Sequence, residues 1–146
     1  MRPFIFAAIL SLPTALLADD LVEKSSPHSV EQTADALVAA IEEAGATVIA
    51  RVDHAEAAAG IGSELPQATR VIFGNPEVGT PIMQEDIRAG LTLPPSVLIY
   101  DDGGSTKFVY LEVDELFDDL GVDDDGTAVR RLEAALFMLT DQAIAD

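Results

Sequence analysis

The sequence predicts an α+β domain of two layers, in which helices pack on one face of a mostly antiparallel sheet of about five strands. Two observations predict this class. Apolar residues recur at helical spacing near both ends of the chain, after Ser29 and again from Thr127 to Ile144. Short alternating runs typical of strands lie between them, and Val97 to Tyr100 with Lys107 to Leu111 form the clearest hairpin.

The first half of the chain opens with a short strand, Leu21 to Lys24, followed by a helix. Ser29 and Gln32 have the spacing of a capping box at the start of this helix, and Gly45 ends it. Three more elements are predicted in this half: a strand over residues 46–54, one or two helical turns over 54–59, and a strand over 70–74.

In the second half, Thr80 and Pro81 have the residue types of an N-cap and a first helical residue, which predicts a helix from there to Gly90 with Ile82 or Met83 turned into the core. Two helices are predicted after the hairpin. The first is short, from Asp114 to Leu120, and the second is the long C-terminal one, with an apolar stripe formed by Val129, Leu132, Leu136, Leu139 and Ala143.

Residues 1–18 have the pattern of a secretory signal. Arg2 precedes the apolar run FIFAAILSL, and Ala18 supplies a small residue where cleavage would occur. The run is shorter than the roughly 20 residues that a membrane span needs. We therefore expect a periplasmic or secreted protein cut after Ala18, with no membrane attachment after cleavage. Residues 19–146 would form a single domain.

The predicted mature chain is strongly acidic. It keeps all 26 aspartates and glutamates and seven of the eight lysines and arginines, so its formal charge is −19. Nucleic acids and anionic lipid surfaces need clustered basic residues, so neither is an expected partner. The charge fits high solubility, and it also fits a partner that is cationic or a metal ion.

No catalytic signature stands out. The absence of cysteine excludes disulfides, thiol catalysis and zinc-cysteine sites, and no serine lies in a Gly-x-Ser-x-Gly elbow. Asp53 and His54 are adjacent, but neighbouring side chains on an extended strand point to opposite faces. A binding or interaction role is therefore favoured over catalysis. One alternative is a small hydrolase or isomerase that uses His54 as its base. No particular cofactor is predicted.

A metal site is the other alternative. The acidic run DDLGVDDDG, residues 118–126, lacks the register of an EF-hand calcium loop, and its aspartates instead suit the start of the last helix. Copper binding by His54 and Met83 is conceivable in an exported protein, because imidazole and thioether both suit that metal.

The stretch FGNPEVGTPIMQ, residues 73–84, is rich in glycine and proline. Gly74 can form a bend, and Thr80 with Pro81 can cap a helix, which accounts for these residue types by shape alone. The same loop could present free backbone N–H groups at a helix N-terminus, an arrangement that binds anions.

Three segments together resemble the bacterial family called domain of unknown function 302. They are the helix start HSVEQT at 28–33, the strand end DHA at 53–55 and the loop IFGNPEVGTPIMQ at 72–84. The resemblance covers about residues 21–111. The resemblance implies a small α+β fold and a homodimer. No activity is settled for that family, so the resemblance implies none. Residues 112–146, the acidic C-terminal helical part, lie beyond it, and Leu120 and Gly121 stand where members often carry a histidine or basic residue.

The resemblance also locates a candidate site, because its polar and turn-forming residues concentrate at the Asp53 strand end and in the loop. We expect an exported small ligand-binding or protein-interaction module whose site is built from both. The candidate ligand-binding residues are Asp53, His54, Gly74, Asn75, Gly79, Thr80 and Gln84.

Overall fold

The computed structural model describes residues 20–145, so the predicted signal at residues 1–18 lies outside the described part of the chain. This part of the chain contains five strands and four α-helices. In chain order they are β1 Leu21–Ser26, α1 Val30–Glu43, β2 Thr47–Asp53, α2 His54–Ala59, β3 Ala68–Gly74, α3 Pro76–Glu85, β4 Ser96–Asp102, β5 Ser105–Leu111 and α4 Thr127–Ile144, with a 3₁₀ segment Ile87–Leu91 after α3.

The five strands form one sheet in the order β1-β5-β4-β3-β2, and every neighbouring pair is antiparallel. The pairing of β2 with β3 shifts by one residue between Val48 and Ala50, so Ile49 lies outside the regular register. Such a bulge re-aims side chains locally. The α+β class and the antiparallel sheet predicted from the sequence are confirmed.

Helices α1 and α4 pack on one face of the sheet, because both carry apolar stripes that must leave water. The predicted stripe of α4 is buried as expected. The fully buried centre of this layer combines α1, α4 and the inward residues of the strands: Leu37, Ile41, Leu136, Val71, Val97, Ile99 and Phe108.

The start of α1 has the predicted capping box. The Ser29 hydroxyl accepts from the Gln32 backbone N–H at 3.2 Å, and the Ser29 N–H donates to the Gln32 side chain at 3.2 Å. Two donors at the helix end are satisfied reciprocally, which fixes where the helix begins.

Lys24 joins β1 to α4. Its ammonium donates to Thr140 Oγ1 at 2.8 Å, to Asp141 Oδ1 at 2.6 Å and to the Phe137 carbonyl at 3.1 Å, and it lies 4.0 Å from the centre of the Phe137 ring. Contacts to a charged donor are stronger than neutral hydrogen bonds. This edge strand is therefore fixed to the last helix by one side chain.

The predicted start of α3 is wrong. The helix begins at Pro76, with Asn75 as N-cap, and Pro81 lies inside it. Asn followed by Pro is as good a start signal as Thr80 followed by Pro81. The earlier start places Val78 on the same helical face as Ile82, four residues on, and both pack against the core. Of the two expected core residues, Ile82 is fully buried and Met83 is partly buried.

The short helix predicted from Asp114 to Leu120 does not form. The segment consists of successive turns, and Asp119 has a positive φ of 61°. Four of its seven residues are acidic, in like-charged pairs four apart that destabilise a helix. The turns still bury Val113, Leu116 and Phe117.

Two carboxylates at the C-terminal end of α3 hold the acidic C-terminal part. Glu85 accepts from the Asp123 N–H at 2.8 Å, and Asp86 accepts from the Gly121 N–H at 3.0 Å. Asp86 also binds the Arg88 guanidinium, and this pair, followed by the Gly121 and Arg88 backbone donors, holds the pKa of the Asp86 carboxyl well below its ordinary value. The acidic part is therefore fastened to the rest of the domain.

Candidate functional site

The loop motif lines an open cavity of about 460 Å³ that we call the motif groove. One wall is formed by the end of β3 and the first half of α3: Gly74, Asn75, Pro76, Val78, Gly79, Thr80 and Met83. The rest of the lining comes from the start of β2, the segment before β4 and α4: Thr47, Ile49, Leu93, Pro94, Pro95 and Leu132. Most of these side chains are apolar, and none carries a charge.

Gly74 packs closely against the proline segment that lines this groove. A Cβ added there would lie 3.1 Å from the Pro94 Cβ, closer than most real contacts of this kind. The bond from Leu93 to Pro94 is a cis peptide. The Phe73 N–H donates to the Pro95 carbonyl at 3.2 Å, so the proline segment is bound directly to the end of β3.

The N-terminus of α3 has no free donor in its first turn for an anion. Pro76 has no N–H, and the Glu77 N–H donates to Asn75 Oδ1 at 2.9 Å. The N–H groups of Val78 and Gly79 both donate to the Asn75 carbonyl, at 2.9 and 3.0 Å. The exposed backbone donors expected in this loop are thus already bonded, and the anion-binding interpretation is wrong for this turn.

The two halves of the predicted site lie at opposite ends of the sheet. Thr47 pairs with Gly74 at one end of the β2–β3 ladder, and Asp53 pairs with Thr69 at the other. Six residues of strand separate these ends, which is roughly 20 Å. Within one chain, a single site built from Asp53, His54 and the loop does not form.

Asp53 has a structural role as the N-cap of α2. Its carboxylate accepts from the Glu56 N–H at 2.9 Å and caps α2, whose first residue is the half-buried His54. Asp53 also lines a small cavity of about 190 Å³ together with Arg51 and Thr69. The carboxylate bonds to the backbone, and no hydrogen bond to His54 is formed among the described residues.

The two residues of the copper alternative, His54 and Met83, are also far apart. Met83 lines the motif groove and packs near Gly90, whereas His54 follows the far end of β2. Over residues 20–145, no three His, Asp or Glu side chains are arranged to hold a metal ion. The structure does not bring His54 and Met83 together.

Of the loop residues expected to bind a ligand, Gly74, Asn75, Gly79 and Thr80 line the groove, while Gln84 is exposed on α3 outside it. Sequence reasoning missed Ile49, the Leu93 to Pro95 segment and Leu132. Ile49 carried a signal, because a large apolar residue on the polar side of an alternating strand is unusual.

The fold and the motif define a class of small two-layer α+β domains. The family model described as domain of unknown function DUF302 matches residues 22–139, so the chain belongs to this family. A crystal structure of an uncharacterized conserved DUF302 protein from Bacillus stearothermophilus superposes with a TM-score of 0.70 at 16% identity, covering 87% of this chain and 97% of that one. This likeness supports the fold alone.

Three relatives from Brucella carry the name fluoride-specific ion channel. The Brucella suis and Brucella abortus proteins, each named FluC 1, are 38% identical to this chain over 104 residues. The match covers 70% of this chain but only 40% and 38% of those relatives. The name therefore describes proteins much longer than the shared segment. Within residues 20–145 of this chain, no helix has the length and apolar character of a membrane span.

Proposed function

We propose that the protein is a binding module that holds a small, uncharged and largely apolar molecule in the motif groove. The observation that carries this proposal is the coincidence of the family's loop motif with an apolar, uncharged cavity of about 460 Å³. Small-molecule sites are concave, mostly apolar and generally of this size.

The lining supports the chemical class of the ligand. Ile49 is 57% exposed although it is a large apolar residue, so its side chain has no partner within the described chain that would cover it. Met83 adds a flexible thioether that adapts to different shapes. Thr47, Asn75 and Thr80 supply a few polar atoms at the groove wall that could orient a ligand.

The neutral fluorescent probe N-phenyl-1-naphthylamine tests this proposal, because it brightens in apolar sites and carries no charge to respond to the acidic surface. We expect saturable binding by the wild type. Ile49→Asp should raise the dissociation constant about tenfold or more, because binding would then bury a carboxylate next to the apolar probe.

The matched control is Ile61→Asp, which adds the same charge at an exposed isoleucine outside the groove. Its dissociation constant should stay within twofold of the wild type. Equal weakening in both variants, or no saturable binding by the wild type, would contradict the proposal.

The Brucella relatives do not make fluoride the favoured ligand of this groove. Fluoride is an anion, and the chain has a formal charge of −18. The groove wall has no cationic side chain, and the first turn of α3 has no free N–H. Apolar surface with a few hydroxyl and amide groups suits an uncharged organic molecule better than a small strongly hydrated anion.

We also propose that two copies associate through the sheet face opposite the helices, which we call the open face. The register places these outward side chains on it: Leu21, Glu23, Val109, Leu111, Lys107, Ser96, Leu98, Tyr100, Ala68, Arg70, Ile72, Ala50 and Val52. The register also places Asp102 on this face, so the charges there balance: Glu23 and Asp102 offset Lys107 and Arg70, and Lys107 binds Glu23 at 2.9 Å. Elsewhere the surface of this chain is dominated by carboxylates, which would repel a second copy.

The open face supplies more than half of the area that one partner buries in a stable protein interface. Five strands of six or seven residues give a plane of roughly 24 by 20 Å, about 500 Å² before side-chain relief is counted. Stable interfaces bury about 800 Å² per partner. An apolar cavity of about 490 Å³ at the end of the face, next to the exposed Leu91, extends the available surface.

Light scattering during size-exclusion chromatography tests the dimer. The wild type should have twice the mass of one chain. Leu98→Asp should shift the protein to the monomer, because it buries a charge at the centre of the face. Leu65→Asp, at an exposed leucine in the loop before β3, should leave the dimer intact. A monomeric wild type, or a dimeric Leu98→Asp variant, would disprove this interface.

A further inference from the structure

Three residues that line the motif groove lie in one stripe along α3. Asn75, the N-cap of this helix, is followed at intervals of four residues by Gly79 and Met83, and all three line the groove. Residues four apart lie on the same face of a helix. The stripe therefore presents an amide at one end, a thioether at the other end, and bare backbone at Gly79 between them.

Gly79 has no structural reason to be a glycine within the described part of the chain. It lies inside α3, where its N–H donates to the Asn75 carbonyl at 3.0 Å, and its φ is not one of the positive values that favour glycine. Apart from the backbone of α3 and the two adjoining residues, the atom nearest to a Cβ added at Gly79 would be Leu93 Cδ1, at an ordinary contact distance of 3.9 Å. Alanine would therefore fit there, and it would stabilise the helix.

The space beside Gly79 belongs to the motif groove. Leu93 also lines the groove, so a methyl group at position 79 would project into the cavity next to the Leu93 side chain. Since alanine would make the helix more stable, what the glycine preserves is the cavity. Bare backbone also allows a ligand to approach the helix closely, which suits the flat face of a ring.

Asn75 offers a hydrogen-bond donor at one end of the stripe. Its side-chain oxygen accepts from the Glu77 N–H at 2.9 Å, which identifies the other amide atom, Nδ2, as the donor. Among the described residues this nitrogen has no hydrogen-bond partner, and Asn75 is only partly buried where it lines the groove. An acceptor atom on a ligand in the groove could therefore bind it.

We propose that the motif groove selects a flat ring compound that carries a hydrogen-bond acceptor, such as an aryl ketone. The ring lies against the Gly79 backbone beside Leu93, and the acceptor oxygen binds Asn75 Nδ2. The Met83 thioether packs at the other end of the ring, a contact that sulfur makes favourably with aromatic groups. Asn75 and Gly79 are then the residues that determine specificity. This inference rests on the proposed function, because it requires that the groove binds small apolar molecules.

Three neutral compounds with the same number of carbon atoms separate the two features of the ligand. 2-Acetylnaphthalene is flat and has a carbonyl acceptor, 2-ethylnaphthalene is flat without an acceptor, and 1-acetyladamantane carries the acceptor on a globular frame. Displacement of N-phenyl-1-naphthylamine gives their dissociation constants. We expect 1-acetyladamantane to bind the wild type about fivefold or more weakly than 2-acetylnaphthalene, because a globular frame does not fit against flat backbone. Equal affinity of these two ketones would overturn the selection of a flat ring.

Asn75→Ser tests the acceptor, because serine keeps an oxygen that caps α3 and removes the amide donor. This variant should raise the dissociation constant of 2-acetylnaphthalene about three- to tenfold, the effect of one lost hydrogen bond. The dissociation constant of 2-ethylnaphthalene should change less than about twofold. Equal changes for both ligands would overturn the role of Asn75.

Gly79→Ala should have opposite effects on stability and on binding. The Tm should rise by about 2–4 °C because alanine favours the helix, while the dissociation constant of 2-acetylnaphthalene rises about fivefold or more. Gln84→Ala, at an exposed position of α3 outside the groove, should leave this dissociation constant within about twofold of the wild type. Unchanged binding by Gly79→Ala, or a lowered Tm, would overturn the role of Gly79.

The N-phenyl-1-naphthylamine probe distinguishes a failure of this specificity from a failure of the groove as a binding site. If the wild type binds the probe saturably and neither variant alters ligand binding, only the inference about Asn75 and Gly79 is overturned. If the wild type does not bind the probe, that inference and the proposed function are both overturned.

Discussion

Phe117→Ala is expected to lower the free energy of unfolding by about 3–5 kcal/mol, the range for truncating a buried aromatic residue. Phe117 is only 2% exposed, although it lies in a segment of turns rather than in a helix or strand. Its ring is therefore the main apolar anchor of the acidic part that follows β5. Chemical denaturation followed by circular dichroism measures the effect.

Phe137→Ala provides the matched control for that substitution. The Phe137 ring is 55% exposed, and its described partner is the Lys24 ammonium. Truncating it should cost about 1 kcal/mol or less, the range of an exposed cation–π contact. If both variants lost the same stability, or if Phe117→Ala lost less than the control, the acidic part would not be anchored through Phe117.

Ile82→Ala is expected to lower the free energy of unfolding by about 2–5 kcal/mol. Ile82 has no exposed surface, and it is the residue of the loop motif that fixes α3 to the core. Losing its methyl groups leaves a cavity beneath the wall of the motif groove. Thermal or denaturant unfolding of the purified variant gives the magnitude.

Ile87→Ala is the comparison for this second substitution, since Ile87 is 78% exposed just after α3. Its stability should stay within about 0.5 kcal/mol of the wild type, as is usual for surface changes. A comparable loss at both isoleucines would mean that Ile82 does not carry the attachment of the motif. Reduced probe binding by Ile82→Ala, once corrected for the unfolded fraction, would further link this anchor to the shape of the groove.

Local signals in the sequence predict most of the fold. The capping box at Ser29, the turn of the β4–β5 hairpin and the apolar stripe of α4 depend only on neighbouring residues, and all three are found. The start of α3 could not be decided locally, because Asn75 with Pro76 and Thr80 with Pro81 are equivalent signals. Packing of Val78 beside Ile82 selects the first one.

The candidate site depends on topology, which explains why only half of it could be predicted. Asp53 ends β2 and Gly74 ends β3. Because these neighbouring strands are antiparallel, their last residues lie at opposite ends of the ladder that joins them. That rule alone could have separated the two halves once β2 and β3 were recognised as neighbours. No local pattern in the sequence indicates that Leu132 contributes to the motif groove, since it comes from a helix that begins more than forty residues after the loop motif.

In the proposed function, the loop motif binds a ligand through the motif groove rather than through the N-terminus of α3. Chemical-shift mapping tests it most directly, by titrating N-phenyl-1-naphthylamine into ¹⁵N-labelled protein. The largest amide shifts should fall on Gly74, Val78, Gly79 and Leu93, with little change at His54 or Glu133. Shifts concentrated at the Asp53 end of the sheet, spread evenly over the surface, or absent at saturating probe would contradict the claim.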